Sequence, residues 1–358
     1  MKYAGIVLRN TRNPLSTVDF ESVHNALLSG GVFLNELVFL SYDAPSEQAA
    51  AVSRLSLECD AVVLICDPVL LQTAKYAVLS VTGGEYREEY CLETERCLYA
   101  VLPDGAVGAE IVKTHILGRV DRRRNNSFSR VVMRAISAPA ELLGNALKRA
   151  TDAAQGMLTL HASEKHGVVR IEVIYDILTP KVIADEVVRI LATDLRDYIY
   201  TLEDVPIAEQ LVAALKLHRQ RIATAESFTA GGVGRAIVRV PGASQVFYEG
   251  INAYDSRAKH ARLGVSDFTL KTKGAVSDET ACAMAAGLLG QGNCDLAIAT
   301  TGNAGPEPSG DTPVGLCFIA IGTRERIRVF RYRLAGDRET ITETAINLAL
   351  FLAYKEIR

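Results

Sequence analysis

The sequence predicts an α/β protein with two three-layer sheet-and-helix domains joined by a small α+β module. Three observations carry this. Strand-like and helical stretches alternate over roughly the first hundred residues, they alternate again from Thr201 onward, and between them the pattern changes. A chain of 358 residues is too long for one ordinary core and suits two or three domains. Hydrophobic residues at 49% and charged residues at 23% describe a folded chain, not a disordered one.

In the first segment, YAGIVL, FLNELVFL, DAVVLI and CLYAVL read as strands, with helices around Val23–Leu28 and Glu47–Leu55. Such alternation implies a largely parallel sheet covered on both faces, and ligands of that fold bind in loops at the strands' C-terminal ends. The loop after DAVVLI reads CDPVLLQTAK, which has no glycine cluster to cradle a phosphate. The basic run Arg122, Arg123 and Arg124, followed by Asn125 and Asn126, reads as a solvated loop.

From about Ser127 the pattern is α+β over roughly 75 residues: RVVMRAI, a helix Ala138–Ala154, MLTLHAS and VVRIEVIYDI, and an amphipathic helix from Pro180 to Tyr200. His161 and His166 stand alone there, without an acid or nucleophile beside them. The third segment runs through a helix Ile207–His218, strand RIATA, a helix reaching Val240, strand GINAYD and a helix Arg257–Leu263. A helix capped by Ser277 follows, then strand CDLAIATT, a Gly/Pro-rich loop, the strand pair GLCFIAIGT and RIRVFRYRL, and a closing helix from about Glu339 to Tyr354.

A net charge of −3 gives no electrostatic case for nucleic acid or a membrane as partner. No apolar run approaches the roughly 18–20 residues of a membrane span, and MKYAGIVLRNTRNP reads as a strand and turn, so a cytoplasmic protein is expected. Seven cysteines without a CxxC pair argue against a disulfide framework and a zinc site; Cys59, Cys66, Cys294 and Cys317 read as buried thiols.

The stretch RIATAESFTAGGVGRAI is where chemistry is sought. Ser227 or Thr229 can cap the following helix. GGVG does not follow the GxGxxG order of a dinucleotide turn, which sets that reading aside. A serine at a strand-to-helix turn can also be a nucleophile, with helix N–H groups beside any oxyanion. Its base would be a lysine of lowered pKa, and Lys259, at a helix start that disfavours a cation, is the candidate, with Tyr254 placed to relay or orient the proton.

AESFTAGG, PGASQVFYEGINAYDSRAKHARLGV, KGAVSDETA, ATTGNAGP, TPVG and AGDR occur in the order and spacing of the CinA family's C-terminal domain, the nicotinamide-nucleotide amidohydrolases, and the chain resembles that family over 205–358. The resemblance implies hydrolysis of the carboxamide of nicotinamide mononucleotide to nicotinate mononucleotide and ammonia, with no metal or organic cofactor. It puts the catalytic serine, tyrosine and lysine on Ser227, Tyr254 and Lys259. Thr229, Gly231, Ser244, Thr301, Gly302, Gly305 and Arg338 are expected to bind substrate, the loop amides and Arg338 taking its phosphate. A homodimer is implied, with which the Ala/Leu-rich helix near Ala281–Leu289 is compatible.

Departures from the family pattern are Phe228 for cysteine, Ala230 for glycine, Asn303 for isoleucine, Thr312 for lysine and Thr342 for arginine. Upstream, residues 1–125 resemble the family's molybdopterin-binding-like domain in degenerate form, with RNTRN, CDPVLLQ and LPDGA where its motifs would stand, and 126–200 resemble a KH-like module. The alternative function is a non-catalytic nucleotide-binding or scaffold member of the family. A pyrophosphatase in the first domain is the weakest reading.

Overall fold

The structure is a computed structural model that describes residues 1–10, 17–86, 88–124, 128–310 and 312–357. Most of RNTRN, the Asn125–Asn126 turn, the Ser127 boundary and Asp311 of the EPSGDT loop lie outside the described residues. The protein is mixed α/β with three sheets. By its contacts the chain divides into two compact units: Met1–Arg130, Gln155–Thr159 and Ile174–Ala184 form one, and Val131–Ala154, Leu160–Val173 and Asp185–Arg358 the other.

The first unit runs β1 (Tyr3–Arg9), α1 (Phe20–Ser29), β2 (Leu34–Ser41), α2 (Pro45–Glu58), β3 (Ala61–Cys66), α3 (Leu71–Thr82), β4 (Cys91–Glu93), β5 (Leu98–Pro103), α4 (Gly105–Ile111) and α5 (Leu117–Arg124). Its sheet has the order β2-β1-β3-β5-β4, parallel except for β4. Strands β3 and β5 are buried along their whole length, which is why they read as unbroken apolar runs. Val23, Leu27, Ile111 and Ile116 cover one face, and Val52, Leu55, Ala74 and Val78 the other.

The arginine run is not a solvated loop. Arg122–Arg124 form the last turn of α5, where cations oppose the helix dipole favourably. Arg123 donates to Glu93 and to the carbonyls of Thr94 and Glu95, and Arg124 to Gly30 O and Asp121. Arg122 is exposed, as its charge suggests, whereas main-chain carbonyls recruit Arg123 and Arg124.

The middle segment forms β6 (Phe128–Ile136), α6 (Ala140–Ala154), β7 (Leu158–Lys165), β8 (Val168–Asp176), α7 (Lys181–Asp194) and β9 (Ile199–Thr201), in a sheet of order β7-β8-β6-β9. The helix expected to reach Tyr200 stops at Asp194, because Ile199–Thr201 pairs antiparallel with β6. Arg134 and Arg170 both donate to Asp204, and hold its carboxyl well below the usual carboxylate range against the opposing effect of burial.

The remaining elements are α8 (Ile207–His218), β10 (Ile222–Glu226), α9 (Gly232–Val238), β11 (Phe247–Asn252), α10 (Ser256–Leu263), α11 (Asp267–Thr272), α12 (Asp278–Leu289), β12 (Leu296–Gly302), β13 (Leu316–Thr323), β14 (Ile327–Arg333) and α13 (Arg338–Ile357). The sheet order is β11-β10-β12-β13-β14; β10, β11 and β12 are parallel, and β13 and β14 antiparallel. Alternation along β10 and β12 sorts the two faces. Ile222, Leu296 and Ile298 meet Leu211, Ile237 and Leu350 of α8, α9 and α13, while Ala223, Ala225, Ala297 and Ala299 meet Ala281, Met284 and Ala285 of α12.

Small residues let α12 approach closely: a Cβ at Gly287 would lie 2.1 Å from Leu263 O. Strand β11 occupies Phe247–Asn252, so the expected strand GINAYD is displaced and Tyr254 and Asp255 lie in the turn before α10. Ser277 does cap α12, accepting from Thr280 N.

Candidate active site

The parallel strands β10, β11 and β12 end side by side, with Glu226 in register with Asn252 on one side and Thr300 on the other. Ser227 is the first residue past β10, tied by its N–H to Thr300 O at 3.0 Å. A turn through Ala230, at φ +49°, and Gly231, at φ +89°, leads into α9. Gly231 admits that conformation and also the side chain of Asn252, which a Cβ would meet at 3.0 Å.

Ser227 caps nothing. The cap of α9 comes from Glu226, a buried carboxylate that the sequence reading passed over. It accepts from Val233 N at 3.0 Å, Gly234 N at 2.8 Å and the Thr229 hydroxyl at 2.8 Å. The sequence does hold a sign of it: an acid closing an apolar strand, with four residues between it and the pair Gly231–Gly232 that opens a helix.

The Ser227 hydroxyl instead meets Lys259. The amine lies 2.9 Å from Ser227 Oγ, 2.8 Å from Ala253 O and 3.0 Å from Tyr254 O, and the lysine is 1% exposed. Helix α10 places it there, starting from Asp255, whose side chain accepts from Arg257 N. Burial holds the Lys259 amine down to about 8, partly opposed by the Asp255 carboxylate. A neutral amine has two N–H bonds and one lone pair. With its hydrogens on the two carbonyls, the lone pair is left for the serine proton.

Of the residues expected in the site, Ser227, Lys259, Thr229, Gly231, Thr301, Gly302, Gly305 and Tyr254 lie at or just beyond this edge of the sheet, though several are already engaged. Tyr254 contacts the lysine through its carbonyl, and the residue is 65% exposed. The Thr229 hydroxyl is held by Glu226 and lies 2.6 Å from Thr300 Oγ1. The Thr301 hydroxyl donates to Ala275 O at 2.6 Å. Gly302 is a packing glycine, since a Cβ would stand 2.6 Å from that of Cys317.

The loop after β12 is fastened from within. Asn303 accepts from Gly305 N at 2.8 Å and donates to the carbonyls of Glu307 and Thr312 at 2.9 and 3.1 Å, while Arg338 donates to Gly305 O. The Gly305 amide is therefore engaged within the loop, not held open for a phosphate, and Asn303 has a structural reason to differ from isoleucine.

Ser244 does not join the others within one chain. It precedes β11, whose Phe247 is level with Ile222 at the start of β10, so the full length of β10 separates it from Ser227, roughly 16 Å at about 3.3 Å per residue. There it lines a pocket of about 430 Å³ with Val238, Pro241 and Phe247.

Among the described residues there is no metal-ligating cluster of His, Cys, Asp and Glu, and no helix long and apolar enough to cross a membrane. All seven cysteines are free, and six of them are buried.

Fold and site together define the class: an α/β sandwich with a serine–lysine pair at the C-terminal edge of its parallel strands. Residues 204–357 match the CinA C-terminal domain, and over that segment the chain belongs to the CinA family. It is 42% identical over 164 residues to a competence-damage inducible protein, so named, of Caldicellulosiruptor saccharolyticus, a match covering 46% of this chain and 40% of that one. A CinA-like protein of Kosmotoga olearia is 41% identical over 157 residues, covering 44% and 38%. The match thus spans about two fifths of the length of these relatives. Among solved structures, a CinA superfamily protein of Klebsiella pneumoniae is 30% identical, with 42% of this chain and 95% of that one covered and a TM-score of 0.41.

Proposed function

We propose that the protein is an amidohydrolase that converts the carboxamide of nicotinamide mononucleotide, or a close pyridine nucleotide, to the carboxylate and ammonia. The observation that carries this reading is the buried Lys259 amine 2.9 Å from Ser227 Oγ, with two carbonyls for its other hydrogens. Ser227 Oγ attacks the carboxamide carbon and gives its proton to Lys259. Collapse of the tetrahedral intermediate returns that proton to the departing ammonia and leaves an acyl-serine. Water then attacks the ester, Lys259 takes its proton, and the serine leaves with that proton, giving the acid. Neither half-reaction calls for a metal or an organic cofactor.

Arg338 fixes Gly305 and so shapes the loop that would face the substrate, and Tyr254 stands exposed at the rim. In this reading the domain divisions 1–125, 126–200 and 201–358 separate a non-catalytic first domain and a small module from the amidase, and the protein acts as a homodimer in pyridine nucleotide recycling. Ammonia release from nicotinamide mononucleotide by wild type, Ser227→Ala and Lys259→Ala tests the reading. Turnover lost in both variants supports it. A folded wild type that releases no ammonia from any pyridine nucleotide overturns it and favours a nucleotide-binding member without catalysis.

A further inference from the structure

An acyl-transfer site needs donors for the oxygen that becomes anionic when the serine attacks. Helix α9 is the obvious supplier, but its first amides are occupied. Gly232 N donates to Thr229 O at 2.8 Å, and Val233 N and Gly234 N donate to Glu226. In the turn itself, Ser227 N is bonded to Thr300 O and Ala230 N to Ser227 O. The N–H groups of Phe228, Thr229 and Gly231 have no acceptor among the described residues; Gly231 is half-buried and open to water, whereas Phe228 and Thr229, the two residues after the serine, are 5% and 3% exposed. More than roughly nine in ten buried main-chain N–H groups are paired, so two adjacent orphans beside a nucleophile call for a ligand.

Both amides are pinned by their own side chains. Phe228 packs with Ala304, Cys317, Ile341 and Ala345, and the Thr229 hydroxyl is fixed by Glu226 and Thr300. Donors held in place before reaction avoid reorganisation when charge develops.

We infer that the oxyanion of the tetrahedral intermediate is held by the main-chain N–H groups of Phe228 and Thr229, and not by helix α9. The step follows from the proposed amidohydrolase: as the Ser227 Oγ–carbon bond forms, the carbonyl π pair moves to oxygen and the serine proton to Lys259. The two amides hydrogen-bond the oxygen until the π bond reforms and the carbon–nitrogen bond breaks. Glu226 is a positioning residue here; by engaging Val233 and Gly234 it leaves the turn as the anion's donor.

The test replaces single amides by esters in the full-length chain. Phenyllactate in place of Phe228 keeps the ring and removes the N–H; 2-hydroxyisovalerate at position 229 is compared with Thr229→Val, which has the same side chain. Each ester is expected to lower kcat at least tenfold relative to its amide counterpart with KM within about twofold, a split that a merely structural role would not produce. A second readout is the tetrahedral adduct of 3-pyridylboronic acid with Ser227, followed by boron NMR, which the esters should weaken to the same degree. Active wild type with esters within twofold of their amide counterparts overturns this inference alone. An adduct weakened by the esters in a protein that hydrolyses no pyridine nucleotide overturns the substrate and keeps the inference; neither adduct nor turnover overturns both.

Discussion

Titration of Lys259 sets the pH dependence expected of this protein, and its size follows from the site. In the proposed reaction the base is the neutral amine, and burial brings the lysine to about 8. Its neutral fraction is then about 1% at pH 6, about 9% at pH 7 and about 90% at pH 9. Hence kcat/KM should rise close to tenfold per pH unit below about 8, level off above it, and gain about 90-fold between pH 6 and 9. Lys259→Arg supplies a cation that does not titrate in this range, and should lose activity by orders of magnitude at every pH without recovering on the alkaline side.

The same shift has a stability counterpart. A lysine lowered in the fold binds fewer protons than in the unfolded chain between about 8 and 10.5, so stability rises with pH across that window. Lys259→Met should abolish that rise, about 3 kcal/mol for two and a half units. Initial-rate assays of ammonia release from pH 5.5 to 9.5 measure the first effect, and urea melts of wild type and Lys259→Met at pH 5.5 and 9.5 the second, of which about 2 kcal/mol is expressed by pH 9.5. A flat profile across pH 7 to 8, or a Lys259→Met protein with wild-type activity, would refute the reasoning.

Asp255→Asn removes the charge that raises the Lys259 pKa and keeps an oxygen to cap α10, so the rising limb below pH 8 should move to lower pH and activity at pH 7 should increase, an effect lost in high salt. Tyr254→Phe preserves the carbonyl that holds Lys259 and should leave kcat within a few-fold; a thousandfold loss would assign the phenol a direct role in proton transfer. Glu226→Ala strands Val233 N and Gly234 N and should destabilise this unit by about 3 kcal/mol in thermal or urea melts, more than Glu226→Gln, which keeps an acceptor. Gly231→Ala should cost about 1–2 kcal/mol, from its φ of +89° and the displaced Asn252, as read from the same melts.

The sandwich and the pairing of Ser227 with Lys259 were legible because β10 and β12 are short apolar runs with turn chemistry at both ends, and because Lys259 stands at the start of a helix next to a turn. Strand β11 was misplaced since, at the sheet's edge, its residues alternate between half-buried and exposed, leaving a weak apolar signal. The role of Glu226 was missed because buried charge leaves no periodic trace; only its partners, brought from α9, reveal it. Ser244 entered the expected site through a motif that lies close in sequence, while a strand crossing takes it to the far edge. Arg123 and Arg124 read as solvent-facing for a similar reason, as their acceptors lie roughly thirty and ninety residues away.

The ring of Phe228 rests on Ile341 and Ala345 of α13, and Arg338 at the head of that helix secures Gly305. Ser227 therefore leaves the ribosome roughly 110 residues before the helix that backs it, a delay of about 5–20 s at ordinary elongation rates. Throughout that interval the ring of Phe228 and the carbonyl of Gly305 lack the helix that packs them, so the turn that carries Ser227 reaches its final setting only when α13 docks.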